Sequence, residues 1–278
     1  MHWTRFLFAS SMTVTTRRLG DGTIIVSNRK PSALIVLSHG LGDTAEGWLD
    51  VAESMAKEMD HLKIVLPTAP TQPVTLNGGM PMPSWYDIVG LDERSNENCP
   101  GIEDSQQTLT SLLSSEGLPY SRMMLAGFSQ GGALSLYTGL QLPEALAGIL
   151  VFSGYLPKAA AVEVAQPSVP VWHGHGLQDF VVAYSMAEKS HHKLLELGVE
   201  DYTLHSYPIV HTVTPSELTD ARAFLQRVLP DDPSACKDPT QLSVKQLKTA
   251  IQDAGANPRG LLEKSELVAK LQELYAAT

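Results

Sequence analysis

Cysteine is nearly missing from this chain: only Cys99 and Cys236 occur in 278 residues, in unrelated contexts and without a CxxC pattern. That scarcity excludes a disulfide framework and a cysteine metal site, and it fits a reducing compartment. No apolar run approaches the roughly 18 to 20 residues that span a bilayer, so a transmembrane segment is not expected and lipid is met only as a ligand or at an interface. Basic residues are outnumbered, 20 against 30 acids, for a formal charge of −10. Such a balance argues against broad electrostatic capture of nucleic acid or of an anionic membrane. Acids are absent from the N-terminus, where MHWTRFLFASSMTVTTRRLG carries Arg5, Arg17 and Arg18 among many Ser and Thr before the first acid, Asp21. Residues 1–20 therefore read as a targeting or disordered segment, with organellar import one expectation and the cytoplasm the other; the apolar core FLFA is too short for a secretory signal.

The rest of the chain is 43% hydrophobic and 18% charged in composition, enough to bury a substantial core. From Ala33 onward, short β-rich segments alternate with longer amphipathic ones: ALIVL (33–37), KIVL (63–66), RMMLA (122–126), GILVF (148–152), VPVWH (169–173) and YTLHSY (202–207). The alternation predicts an α/β fold, a mostly parallel sheet with helices on both faces. TIIV (23–26) reads as an antiparallel edge strand. Thr214-Pro215-Ser216-Glu217 reads as a capping box with proline at the first helical position, followed by Leu218, Ala221, Leu225 and Val228 at helical spacing. The division expected is a catalytic domain over 21–230, a proline- and acid-rich linker over 231–240, and a small helical module over 241–278. In that module Ser243 and Gln246 cap one helix, and Leu267, Leu271 and Leu274 mark another.

Gly127-Phe128-Ser129-Gln130-Gly131 fits GxSxG, with a strand-like run before it and a small-residue helix after it. Strand, sharp turn and helix are the context of a nucleophile elbow, in which the backbone N–H after the serine faces a developing oxyanion. The pentapeptide alone fits a small-residue turn equally well, so the partners decide. In this architecture the acid and base follow in the order Ser, Asp, His, each in a loop after a later strand. Asp179 follows VPVWH, and His211 follows YTLHSY ahead of the capped helix. His191, His192, His205 and His61 lie within a helix, within a strand or on the wrong side of one. A second oxyanion donor is expected from the glycine-flanked loop His39-Gly40-Leu41-Gly42-Asp43, through the N–H of Leu41. His39 itself reads as an anchor of that loop.

LSHGLGDTAEGW (37–48), LPTAP (66–70), TLNGGMPMPSWYDI (75–88), GFSQGGALSLYTGL (127–140), FSGYLP (152–157) and HGLQDFVV (175–182), with the histidine loop, together resemble the acyl-protein thioesterase and lysophospholipase-like carboxylesterases. The likeness covers roughly residues 20 to 230. It implies an α/β-hydrolase fold, no cofactor and no metal, and hydrolysis of long-chain thioesters on S-acylated proteins; the alternative is lysophospholipids or other oxygen esters. Carried over by position, Ser129 looks like the nucleophile, His211 the base and acid, Asp179 its orienting carboxylate, and the N–H groups of Leu41 and Gln130 the oxyanion hole. Leu76, Trp85 and Val181 look like acyl contacts. TQPVTLNGGMPMPSWYDI, too irregular for a core helix or strand, reads as an adjustable lid for an alkyl chain, with packing of Leu76, Met80, Met82 and Trp85 over the domain core as the plain alternative. Phe180 stands where the family often has proline, and Ile209 where it often has glycine, which puts the shape of those two loops in question. The cysteine near the N-terminus that is lipidated in some relatives is absent, leaving only transient membrane contact.

LSVKQLKTAIQDAGANPRGLLEKSELVAKLQELY (242–275) resembles a SAP-like helix-loop-helix, with a longer segment between Gly260 and Lys264 than the DNA-binding form. Its near balance of charge argues for a protein partner over nucleic acid, with a stabilising appendage as the plain alternative. A hydrolase fold lacking activity and used as a binding module is the rival class for the whole chain.

Overall fold

A computed structural model describes residues 14–28, 30–91, 97–236 and 238–276. Among the described residues an eight-stranded sheet runs in the order β1-β2-β4-β3-β7-β8-β9-β10. Its strands are β1 (Thr15–Arg18), β2 (Ile24–Ser27), β3 (Ala33–Ser38), β4 (Leu62–Leu66), β7 (Met123–Phe128), β8 (Gly148–Phe152), β9 (Val171–Gly176) and β10 (Tyr202–Tyr207). From β4 to β10 every neighbouring pair is parallel, whereas β2 runs antiparallel to both β4 and β1. A separate antiparallel hairpin is formed by β5 (Thr71–Val74) and β6 (Met80–Pro83).

The helices are α1 (Leu49–Glu58), α2 (Ile102–Ser115), α3 (Gln130–Leu140), α4 (Tyr184–Glu196), α5 (Pro215–Val228), α6 (Val244–Asp253) and α7 (Lys264–Ala276). Because side chains alternate along a strand, each buried strand serves two cores. On β3, Leu34 and Val36 pack with Leu109, Leu113, Leu134 and Leu194 of α2, α3 and α4. Ala33, Ile35 and Leu37 pack on the other face with Met55 of α1 and Phe224 and Leu225 of α5. This is the α/β-hydrolase architecture, with the parallel strands ending at one rim where the loops carrying chemistry collect.

Three expectations are corrected. Residues 24–27 are antiparallel, but they are not the edge: β1 covers them, and β1 itself lies inside the segment 1–20 read as targeting or disordered. That strand, TTRR, has no apolar residue to announce it and is held instead by its register with β2 and by ion pairs of Arg17 with Asp253 and Arg18 with Glu46. Residues 1–13 of that segment lie outside the described residues. The lid segment is not irregular; it forms the β5–β6 ribbon, where Pro73 faces Pro81, a pairing that two outward-facing edges tolerate although neither proline can donate. The capping box at Thr214 is half made: its hydroxyl accepts from the Glu217 N–H, but the Glu217 carboxylate is buried without a hydrogen-bond partner. Burial pushes that carboxyl up to about 7.

The C-terminal helices form a small core of their own, Leu242, Leu247, Ile251, Leu267 and Leu271, and α6 opens with a complete capping box between Ser243 and Gln246. They dock on the main sheet through a buried ion cluster. Lys63 of β4 bonds Glu116 at 2.6 Å and Asp253, the last residue of α6, at 2.7 Å. Arg17 of β1 holds the other oxygen of Asp253. Burial alone would lower the Lys63 ammonium, yet its two carboxylates hold it above the ordinary lysine value.

Candidate active site

Ser129 sits between β7 and α3 with φ +53° and ψ −118°, a left-handed backbone that a residue with a Cβ adopts only under strain of about 1 to 3 kcal/mol. Its N–H is tied to the Phe152 carbonyl at 2.8 Å, which keeps the turn sharp. The glycines on either side are required sterically. A methyl on Gly127 would overlap the backbone of Gly131, and one on Gly131 would overlap the carbonyls of Ser38 and His39. Gly131→Ala is therefore expected to drive α3 away from β3, lowering stability by about 3 kcal/mol, the upper range of forced overpacking. Urea unfolding checks it; an unchanged midpoint would contradict this account of the elbow.

The turn presents the serine to two loops. The Ser129 hydroxyl donates to His211 Nε2 at 2.9 Å, and His211 Nδ1–H donates to Asp179 Oδ2 at 2.6 Å. Asp179 is buried, and its other oxygen accepts from the N–H groups of Val181 and Val182, both at 2.8 Å. The Phe128 ring packs on the His211 imidazole, with centroids 4.7 Å apart.

Beside this chain lie the two amides read as an oxyanion hole. Gln130 is the first residue of α3, where a backbone N–H has no intrahelical acceptor. Leu41 lies in the loop after β3, where the next amides are already engaged, Gly42 to Pro83 and Asp43 to Gly40. Gly40 lets that loop approach: a Cβ there would lie 3.0 Å from the Phe128 ring. His39 fixes the loop from beneath. Its Nε2 accepts from the Ala69 N–H, its Nδ1 donates to the Gly40 carbonyl, and burial pushes its pKa down.

A cavity of about 320 Å³ opens over the serine, lined by Leu41, Leu76, Ile88, Leu91, Phe128 and Val181 among others. Leu76 and Val181, two of the three residues that the resemblance assigns to acyl contact, both line this cavity. Trp85 does not, and that expectation is corrected. It is 1% exposed, packs on the His39 ring and donates from Nε1 to the His39 carbonyl at 2.8 Å. Its backbone N–H is held by the Gln130 side chain, which also donates to the Tyr86 carbonyl. Trp85 packs beneath the His39–Gly42 loop, as the plain alternative reading of its segment has it. Ile88 and Tyr155 also line the cavity; they lie within the quoted TLNGGMPMPSWYDI and FSGYLP motifs, but neither is among the expected acyl contacts. β9 continues to Gly176, three residues past the VPVWH run, so His175 lies inside the strand.

Among the described residues no group of three or more His, Cys, Asp or Glu side chains is placed to hold a metal ion, and no helix is long and apolar enough to cross a membrane.

A parallel sheet with a serine elbow, and a histidine and an acid arriving from later loops, defines an α/β-hydrolase with a serine-hydrolase geometry. The chain belongs to the phospholipase/carboxylesterase family, whose profile matches residues 19–229. It is 38% identical over 233 residues to acyl-protein thioesterase 1 of Mycosarcoma maydis, covering 75% of this chain and 97% of that one. It is also 35% identical over 210 residues to acyl-protein thioesterase 1 homolog 1 of Dictyostelium discoideum, covering 72% and 92%. The crystal structure of Zea mays acyl-protein thioesterase 2 matches with a TM-score of 0.66 at 28% identity, over 74% of this chain and 98% of that one. The family match ends ahead of α6 and α7.

Proposed function

We propose that this protein removes long-chain acyl groups from S-acylated proteins by thioester hydrolysis through an acyl-enzyme on Ser129. The observation that carries the reading is the hydrogen-bonded chain Asp179–His211–Ser129 opening into an apolar cavity. Ser129 Oγ attacks the acyl carbonyl as His211 Nε2 takes its proton; Asp179 steadies the imidazolium, and the oxyanion forms against the amides of Leu41 and Gln130. Collapse expels the thiolate, which receives the proton from His211. Water, activated by the same nitrogen, then releases the fatty acid. A thiolate leaves readily, so deacylation sets the turnover of thioesters.

A second cavity of about 600 Å³ shares Leu91, Tyr155 and Val181 with the first, giving a long chain room to continue. Phe180, 89% exposed beside Val181, lines the second cavity and gives it an apolar edge suited to transient contact with the membrane that holds the substrate. Residues 241–278 are assigned to partner recognition, docked on the catalytic domain by the Lys63 cluster.

The test is release of palmitate from a palmitoyl-cysteine peptide, compared with lysophosphatidylcholine and short-chain esters. Preference for the thioester supports the reading, whereas cleavage of oxygen esters alone makes the protein a lysophospholipase or carboxylesterase. Each methylene buried contributes up to about 0.8 kcal/mol. Leu76→Ala is therefore expected to lower kcat/KM about tenfold for the palmitoyl substrate and less for a short-chain ester; equal losses on both would remove Leu76 from the acyl wall.

A further inference from the structure

The side of β9 that faces α4 carries two buried histidines, His173 and His175, both fully shielded from solvent. The interval of two residues puts them on one face of the strand, with ring centroids 5.4 Å apart. Their hydrogen bonds form one chain that ends at the Val182 carbonyl, beside the catalytic acid. His175 Nε2 faces two acceptors, the Val182 carbonyl at 2.8 Å and Asp179 Oδ2 at 3.4 Å. That nitrogen must therefore carry the proton, which in a neutral ring makes Nδ1 an acceptor. Its partner there is His173 Nε2 at 3.3 Å, which must then be N–H. His173 Nδ1 in turn accepts from the Tyr202 hydroxyl of β10 at 2.7 Å. Each tautomer is forced by the one before it.

We infer that His175, held as the Nε2–H tautomer by His173 and Tyr202, is a positioning residue for Asp179. This rests on the serine-hydrolase reading above. His175 acts through the loop: it pins the carbonyl of Val182, the residue whose own N–H, with that of Val181, holds Asp179 Oδ1. It leaves Asp179 Oδ2 to His211, whose bond is the short one at 2.6 Å. Neutrality matters as much as place, because a cationic imidazole beside Asp179 would draw the carboxylate away from His211.

The surroundings maintain that neutrality. The titratable groups facing the pair are Asp179 and His211 from the rim loops, Tyr184 and His191 from α4, and Tyr202 from β10. Burial drives both histidines down; His175 and His191 further oppose a charge on His173, and His211 opposes one on His175. Burial also keeps the Tyr202 hydroxyl protonated. Asp179 and the Val182 carbonyl pull His175 the other way but do not reverse the direction.

The experiment measures the rate at which a fluorophosphonate probe modifies Ser129 in the full chain, as a function of pH. His173→Phe strips His175 of the donor that blocks Nδ1, so protonation beside Asp179 becomes available. The rate should fall at least about tenfold, toward the ~10²-fold that a misplacement of about 1 Å can cost, and the acid limb should move to higher pH. His173→Gln, which can offer an amide N–H near the position of Nε2, should restore most of the rate and the original limb. Tyr202→Phe should shift the limb in the same direction by less; it carries the test if His173→Phe does not fold. A folded His173→Phe with wild-type rate and limb, or a His173→Gln as impaired as His173→Phe with an unmoved limb, would overturn the inference while leaving the hydrolase reading intact. Wild-type protein that fails to react at Ser129 would overturn both.

Discussion

Ser129→Ala should lower palmitoyl-thioester hydrolysis on the order of 10⁶-fold, the loss typical of removing a nucleophile whose base and acid act with it as a unit. The size of the effect follows from the geometry. Ser129 Oγ is the atom that completes the chain from Asp179 through His211, and the substitution removes it without altering the strained turn that holds residue 129. Alanine lacks a hydroxyl but fits the same backbone, so the fold and the apolar cavity should persist. Adding His211→Ala to Ser129→Ala should cost little more, because neither group retains its function without the other. Thioester release by Ser129→Ala at more than a small fraction of the wild-type rate would place the chemistry elsewhere.

The second large effect is on stability. Asp253→Ala removes the carboxylate that α6 inserts between Lys63 and Arg17, leaving a buried ammonium with Glu116 alone. Breaking a buried pair by deleting one partner typically costs about 3 to 5 kcal/mol, and the surviving Glu116 contact places the loss toward the lower end. Lys63→Met combined with Asp253→Ala should recover part of it, since no buried charge is then stranded. Urea unfolding of the two single variants and the double variant gives the coupling directly. Additive losses would mean that the C-terminal helices merely lie against the sheet.

The parts of this molecule visible in sequence are those written locally. Ser129, Asp179 and His211 stood out because each follows a short apolar strand, and the rule placing catalytic loops at strand ends needs only order along the chain. The short apolar runs that betray β3, β4, β7 and β8 are a property of consecutive residues. What escaped depends on contacts between distant ones. Nothing in TTRR marks β1, whose Arg17 meets its partner 236 residues away. Trp85 reads as a wall of the acyl site because the family resemblance assigns it there and its segment reads as a lid; only the fold turns the indole under His39. The lysine inside LKIVL is a legible sign of docking, since a charge in a fully buried strand requires a partner from elsewhere, but the sequence does not say that the partner is Asp253. His173 and His175 likewise sat in plain view in VWHGHG, but the partner that orients them, Tyr202, lies on the next strand.

The most direct test of the central claim is mass spectrometry of the protein quenched during turnover of a palmitoyl-cysteine peptide, followed by mapping of the modified residue. The account predicts a palmitoyl group on Ser129 in the wild-type protein, absent from Ser129→Ala. Steady turnover with the acyl group on another residue, or turnover that persists in Ser129→Ala, would contradict it.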